Sequence, residues 1–177
     1  MKKKALTQNI QISVVLPVYN EQNNIEALSR EIISVLGNLQ FSRLELVFVN
    51  DGSIDNSLQI IKQLSANDKR IKYIDLSRNF GHQIAITAGI EATKGERIVI
   101  MDADFQDPPA LIADLSKKMD EGFDVVYARR LTRRGDSVFK KTTARLFYRT
   151  LSLITRSKIP VDTGDFRIIN RKIANIL

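Results

Sequence analysis

The chain has 177 residues, 44% hydrophobic and 27% charged, a balance that fits one globular domain and excludes an extended disordered chain. It has no cysteine, so disulfides, thiolate metal sites and a cysteine nucleophile are excluded. The net charge of +7 is concentrated: between Arg129 and Lys158 ten basic residues meet one acid, Asp136, which points to an anionic partner such as phosphates, nucleic acid or a membrane surface.

Met1-Lys2-Lys3-Lys4 is basic, but the polar stretch Ala5 to Gln11 does not read as a secretory signal. No apolar run approaches the roughly 18 residues that span a bilayer. The first strand-length apolar run is Ile12–Leu16. Pro17 cannot donate to a sheet ladder and is expected to stop that strand or mark an edge. Tyr19 then offers a flat ring and Glu21 an acceptor at the strand's mouth. Ile25, Leu28, Ile32 and Val35 follow at helical spacing, with Asn23 and Glu26 placed as a capping box.

The second run, Leu44–Val49, ends in the turn cluster Asn50-Asp51-Gly52-Ser53. Asp51 can accept from a base or ribose and Gly52 lets a ligand approach closely; the same residues equally suit a turn capping the next helix. That helix carries Leu58, Ile61 and Leu64. The third run, Ile71–Leu76, leads to Arg78, whose guanidinium suits a phosphate. Behind Gly81 stands the only histidine, His82. With no second histidine to share a metal, it is read first as structural or exposed, with contact to substrate at the strand's mouth as the alternative.

The fourth run, Ile98–Met101, runs straight into Asp102, Asp104 and Asp107. Asp102 and Asp104 are two apart, so along an extended strand end they point the same way and repel unless a cation joins them. Hard ions such as Mg²⁺ or Mn²⁺ take carboxylate oxygens together with substrate phosphates. Gln106 can orient a neighbouring group. Asp107 and Pro108 read as N-cap and first residue of a helix bearing Leu111, Leu115 and Met119. The fifth run is Val125–Tyr127.

Strands rich in Ile and Val alternating with helical patterns predict an α/β domain, its largely parallel central sheet flanked by helices. Ligands of such sheets bind at the carboxyl ends of the strands, where the unusual residues cluster. Neither G-x-G-x-x-G after the first strand nor G-x-x-x-x-G-K-[ST] occurs, which argues against a dinucleotide or P-loop site.

Across 137–156 an amphipathic helix is expected. Phe139, Leu146 and Leu153 repeat at seven, while Lys141, Arg145 and Arg149 repeat at four. Such a helix either lies in an anionic membrane interface or packs its apolar face on the core. Phe139, Phe147 and Tyr148 could stack on bases, but an RNA partner leaves the three aspartates without a task, so nucleic acid is disfavoured. Asp162 to Arg171, "DTGDFRIINR", suits either a functional loop or a polar turn into a final strand and helix. Ile169, Ile173 and Ile176 begin a fresh apolar pattern at the end of the chain, so a fragment of a longer, membrane-anchored protein is expected.

"PVYNE", "NDGS", "RNFG", "DADFQDPP" and "DTGDFR", in this order, resemble the family-2 glycosyltransferases of the GT-A fold. More narrowly they resemble the polyprenyl-phosphate glycosyltransferases, the group of dolichyl-phosphate mannose synthase and bactoprenol glucosyltransferase. The resemblance runs from residue 12 to about residue 173 and implies a single GT-A catalytic domain over 1–177. It implies that Pro17, Tyr19, Glu21 and Asp51 form the base and ribose pocket, with Asp102 close to the sugar nucleotide. Asp104 would ligate Mg²⁺ or Mn²⁺, with Gln106 alongside. Asp165 matches an acid near the acceptor and Arg167 a phosphate contact; Arg129, Arg130, Arg133 and Arg134 are candidates for donor or acceptor phosphates. Many relatives carry two aspartates where this chain has Asn50-Asp51.

The implied reaction is inverting, metal-dependent transfer of a hexose from a UDP- or GDP-linked sugar to a polyprenyl phosphate. The catalytic candidates are Asp102, Asp104 and Asp165, and the expected location is cytoplasmic, at the inner face of a membrane. Two alternatives stay open: a family-2 enzyme acting on a saccharide, and a non-catalytic nucleotide or RNA binder.

Overall fold

A computed structural model describes residues 10–129 and 163–177; for Arg129 and residues 163–165 the description is of the backbone. The five predicted strands form, each within two residues of its expected bounds. They are β1 (Ile12–Val18), β2 (Leu44–Asn50), β3 (Ile71–Asp75), β4 (Arg97–Ile100) and β5 (Val125–Arg129). Helices α1 (Ile25–Asn38), α2 (Ser57–Asn67), α3 (His82–Ala92) and α4 (Ile112–Asp120) lie between them. A sixth strand, β6 (Thr163–Asn170), follows, and then a short helix, Arg171–Ala174.

The strand order is β3-β2-β1-β4-β6-β5. β1, β2, β3 and β4 pair in parallel, whereas β6 is antiparallel to both β4 and β5. The sheet is thus mostly parallel with one strand inserted in the opposite sense. Alternation along β1 feeds two cores, one on each face. Val14, Leu16 and Val18 join Ile25, Leu28 and Ile32 of α1 and Ile112 and Leu115 of α4. Val15 joins Ala85, Ile86 and Ile90 of α3. That second face is tight, since a Cβ at Gly89 would come within 2.3 Å of Val15 Cγ1.

Away from the strands' carboxyl ends, Glu45 ties β2 to its neighbours while fully buried. It accepts from Ser13 Oγ at 2.7 Å and the Lys94 N–H at 2.6 Å, and it pairs with Lys72. Burial pushes the Glu45 carboxyl up, but these partners together hold it below its ordinary value.

Three local expectations are corrected. Pro17 neither ends β1 nor lies at an edge: β1 runs to Val18 between β2 and β4, with Pro17 opposite Val49. On the β4 side the paired register stops at Val15 and Ile100, with one further bond from the Met101 N–H to the Val15 carbonyl. The missing N–H of Pro17 points to this side by strand alternation, so the ladder ends and the chain after Met101 is free to turn away. The capping box at Asn23 and Glu26 does not form. Asn24 is the N-cap and makes no side-chain cap bond; its amide instead donates to Glu21 at 2.7 Å. Asp107 is buried and is not the cap either: a single 3₁₀ turn, Pro109–Leu111, with Pro108 before it, precedes α4.

Candidate active site

β1 has β2 on one side and β4 on the other, so the loops leaving β1 and β4 part company and open a crevice at the carboxyl end of the sheet. A cleft of about 420 Å³ lies there. Six of the sequence-predicted residues line it together: Pro17, Tyr19, Glu21, Asp51, Asp102 and Asp104.

The wall that carries Tyr19 and Glu21 is held by the next loop along the sheet. The Asn20 N–H donates to Ser53 Oγ (3.0 Å), the Glu21 N–H to Ser57 Oγ (2.8 Å) and the Gln22 N–H to Asp55 Oδ2 (3.2 Å). In return the Ile54 N–H donates to Asn20 Oδ1 (2.9 Å) and the Asn56 N–H to Gln22 Oε1 (3.0 Å). Five side-chain-to-backbone bonds thus zip two loops that have no regular ladder between them. Partial burial pushes the Asp55 carboxyl up, but hydrogen bonds from Ser57 and the Gln22 N–H hold it below its ordinary value. Asn20 adopts a left-handed φ of 60°, which its short polar side chain tolerates.

Asp51 is 4% exposed, and both of its oxygens are engaged. Oδ1 accepts from the Phe80 N–H at 2.7 Å and Oδ2 from the Gly81 N–H at 2.9 Å. It is therefore a clamp on the loop before α3 as well as part of the cleft wall. Gly52 packs into the same loop: its φ is 67°, and a Cβ there would lie 2.5 Å from backbone atoms of Arg78 and Asn79. Asn50 donates to Asp75 at 2.8 Å, so its amide pairs with the acid that ends β3. An aspartate at position 50 would set two carboxylates against each other there.

The opposite rim is the stretch after β4. Asp104 Oδ1 accepts from the Gln106 N–H at 2.9 Å, a turn closed by the aspartate's own side chain. Phe105 inside that turn has φ 61°, a left-handed conformation that is an outlier for a bulky residue and the kind of strain that collects at functional loops. Asp102 faces His82, with Nε2 3.4 Å from Oδ1. His82 is exposed, as expected, and it also lines the cleft. Local sequence could not bring it to Asp102, because the contact joins two elements through space. The one hint was its place behind a glycine at a strand's mouth.

Among the described residues no three His, Asp or Glu side chains gather to form a protein-only metal cage. Two carboxylates at a cleft rim are instead the donor set that Mg²⁺ or Mn²⁺ accepts when substrate phosphates and water complete its shell. The residues present fit such an ion.

Among the described residues, Gln106, Arg78 and Arg167 do not line the cleft. Gln106 supplies its backbone N–H to Asp104 and is exposed. Arg78 is exposed, its guanidinium 4.8 Å from the centre of the Phe80 ring. Arg167 sits within β6, in register with Ile100 on one side and Tyr127 on the other. Arg129 ends β5 opposite Thr163, and Asp165 lies in β6. Arg130, Arg133, Arg134 and the expected helix over 137–156 lie outside the described residues.

Residues 13–177 match the sequence profile of a family described as glycosyl transferase family 2. The chain belongs to that family. It is 49% identical over 170 residues to an uncharacterized glycosyltransferase, YkcC, of Bacillus subtilis, covering 96% of this chain and 52% of that protein. It is 35% identical over 164 residues to the bactoprenol glucosyl transferase of Shigella phage SfX, covering 93% of this chain and 53% of that protein. The chain therefore spans about half the length of these relatives. In fold it is similar to the mannosyltransferase PcManGT of Pyrobaculum calidifontis, solved with GDP-Man and Mn²⁺, at a TM-score of 0.66 and 21% identity over 96% of this chain and 47% of that one. The GT-A fold expected from the motifs is thus shown. Among the described residues no helix is long and apolar enough to cross a membrane.

Proposed function

We propose that this family-2 chain is the catalytic domain of an inverting glycosyltransferase that moves a hexose from a nucleotide diphosphate sugar to a polyprenyl phosphate. The observation that carries the reading is the single cleft in which Tyr19, Glu21 and Asp51 face Asp102 and Asp104 at the carboxyl end of the sheet. An aromatic ring and acceptors on one wall suit a nucleoside, and paired acids on the other suit a diphosphate with its cation. The relative that acts on bactoprenol supports the lipid acceptor, and the solved neighbour with GDP-Man and Mn²⁺ supports the donor class and the ion.

In this mechanism Tyr19 packs on the base, Glu21 accepts from the nucleoside, and Asp51 holds the loop that closes the pocket. Asp104 would hold Mg²⁺ or Mn²⁺, and Gln106 would lie alongside. When bound, that ion neutralises charge developing on the departing nucleoside diphosphate. Asp102 orients the sugar nucleotide. The acceptor phosphate attacks the anomeric carbon in line as the bond to the diphosphate breaks, which inverts that centre. A phosphate monoester has its second pKa at about 6, so it is already an anionic nucleophile at neutral pH. A strong general base is not required, and Asp165 is assigned to orienting the acceptor. Arg78, Arg129, Arg130, Arg133, Arg134 and Arg167 are the basic residues available for phosphates.

A thermal-shift screen of UDP- and GDP-linked sugars, with and without Mn²⁺, tests the reading. One nucleotide series should raise the melting temperature only with the metal. No shift with any sugar nucleotide would overturn it.

A further inference from the structure

We propose that His82 is a positioning residue for the donor: its imidazole holds the Asp102 carboxylate in the orientation that receives the sugar nucleotide. The inference rests on the reading above, that the cleft binds a nucleotide diphosphate sugar.

His82 is 40% exposed at its side chain, lines a concave site and has Nε2 3.4 Å from Asp102 Oδ1. Its place is set from behind. The Phe80 and Gly81 N–H groups both donate to the buried Asp51 carboxylate, and Gly81, at φ 99°, is the N-cap that starts α3 with His82 as its first residue. Asp51 therefore fixes the loop, the loop fixes His82, and His82 reaches the end of β4 on the far side of the cleft.

The two rim acids are thus held by different means. Asp104 is fixed within its own turn by the Gln106 N–H. Asp102 meets a side chain from another element. A donor N–H at Asp102 Oδ1 offsets its repulsion from Asp104 and fixes the plane of the carboxylate. The contact closes to a full hydrogen bond when the donor fills the cleft, as site contacts commonly tighten on ligand binding.

The test compares the wild-type chain with His82→Ala, His82→Gln and Asp102→Asn. Because His82 is the only histidine, its ring gives one set of nuclear magnetic resonance signals. Asp102→Asn should move those signals in the ligand-free chain. His82→Ala should weaken Mn²⁺-dependent UDP or GDP binding about tenfold, the loss of one charge-assisted hydrogen bond, with the melting temperature little changed. His82→Gln, whose amide can donate to the same oxygen, should restore most of the affinity. Unmoved ring signals in Asp102→Asn, wild-type affinity in His82→Ala, or a glutamine variant as weak as the alanine one would each overturn the role. A wild-type chain that binds neither nucleotide with Mn²⁺ would overturn the donor reading itself, and the positioning role with it; the ring signals of the ligand-free chain separate the two failures.

Discussion

Asp51 and Gly81 are joined by a 2.9 Å hydrogen bond, Oδ2 accepting from the N–H, and this bond ties the end of β2 to the start of α3. With its companion from Phe80 it makes one buried carboxylate responsible for the shape of a loop thirty residues further along the chain. Asp51→Ala leaves two N–H groups without that acceptor and should cost about 1–3 kcal/mol in urea unfolding. Asp51→Asn keeps one acceptor oxygen and should cost less. Both should weaken nucleotide binding by calorimetry, the alanine variant more.

Gly52→Ala should disturb the same loop from the other side. Its Cβ would sit 2.5 Å from the Arg78 and Asn79 backbone, and neither backbone can move without pulling on Asp51's partners. Alanine in a left-handed conformation costs about 1 kcal/mol before any clash is counted. A fall in melting temperature of several degrees, together with lost nucleotide affinity, is the expected outcome of a thermal melt and a binding titration.

Asp55 governs the zip between the first two loops. Its folded pKa is depressed, so its contribution is fully present above the ordinary carboxylate value of about 3.9 and is lost as pH falls through the lower folded value. Asp55→Ala should raise the KM for the sugar nucleotide while leaving the metal requirement unchanged. Its stability deficit relative to wild type should be greatest near neutral pH and shrink in acid. Denaturation at a series of pH values checks the second expectation and steady-state kinetics the first.

The basic stretch allows a separate test by charge. Reversing Arg145 and Arg149 to glutamate should weaken sedimentation with anionic vesicles at least tenfold, since each basic residue near such a surface contributes about 1 kcal/mol. Neutral vesicles should show little difference between variant and wild type. Equal binding to anionic vesicles would favour the other reading of 137–156, an apolar face packed on the core.

Much of this architecture could be read from sequence because buried parallel strands are written as short runs of Ile, Val and Leu, and the polar residues at their carboxyl ends mark the site. Ile12–Leu16, Leu44–Val49 and Ile98–Met101 led directly to Tyr19, Asp51 and Asp102 in one cleft. Pro17 was misread because its missing N–H matters only relative to where the β4 ladder stops. The insertion of β6 between β4 and β5 has no local signature, because strand order depends on long-range pairing. The helix caps failed for a similar reason: Asn24 is drawn to Glu21, and the Gln22 and Asn20 side chains serve the neighbouring loop. The contact of His82 with Asp102 was not legible because a single histidine carries no spacing pattern, and Asp102 lies twenty residues away on another element.

The central claim is that Asp104 holds a divalent ion that in turn holds a nucleoside diphosphate. Titration calorimetry of UDP and GDP into the chain with Mn²⁺, into the chain with EDTA, and into Asp104→Ala with Mn²⁺ tests it most directly. The account predicts that one nucleotide binds with Mn²⁺ and that affinity falls more than tenfold both in EDTA and in Asp104→Ala, whose circular dichroism melt stays that of the wild type. Equal affinity in all three titrations would contradict it.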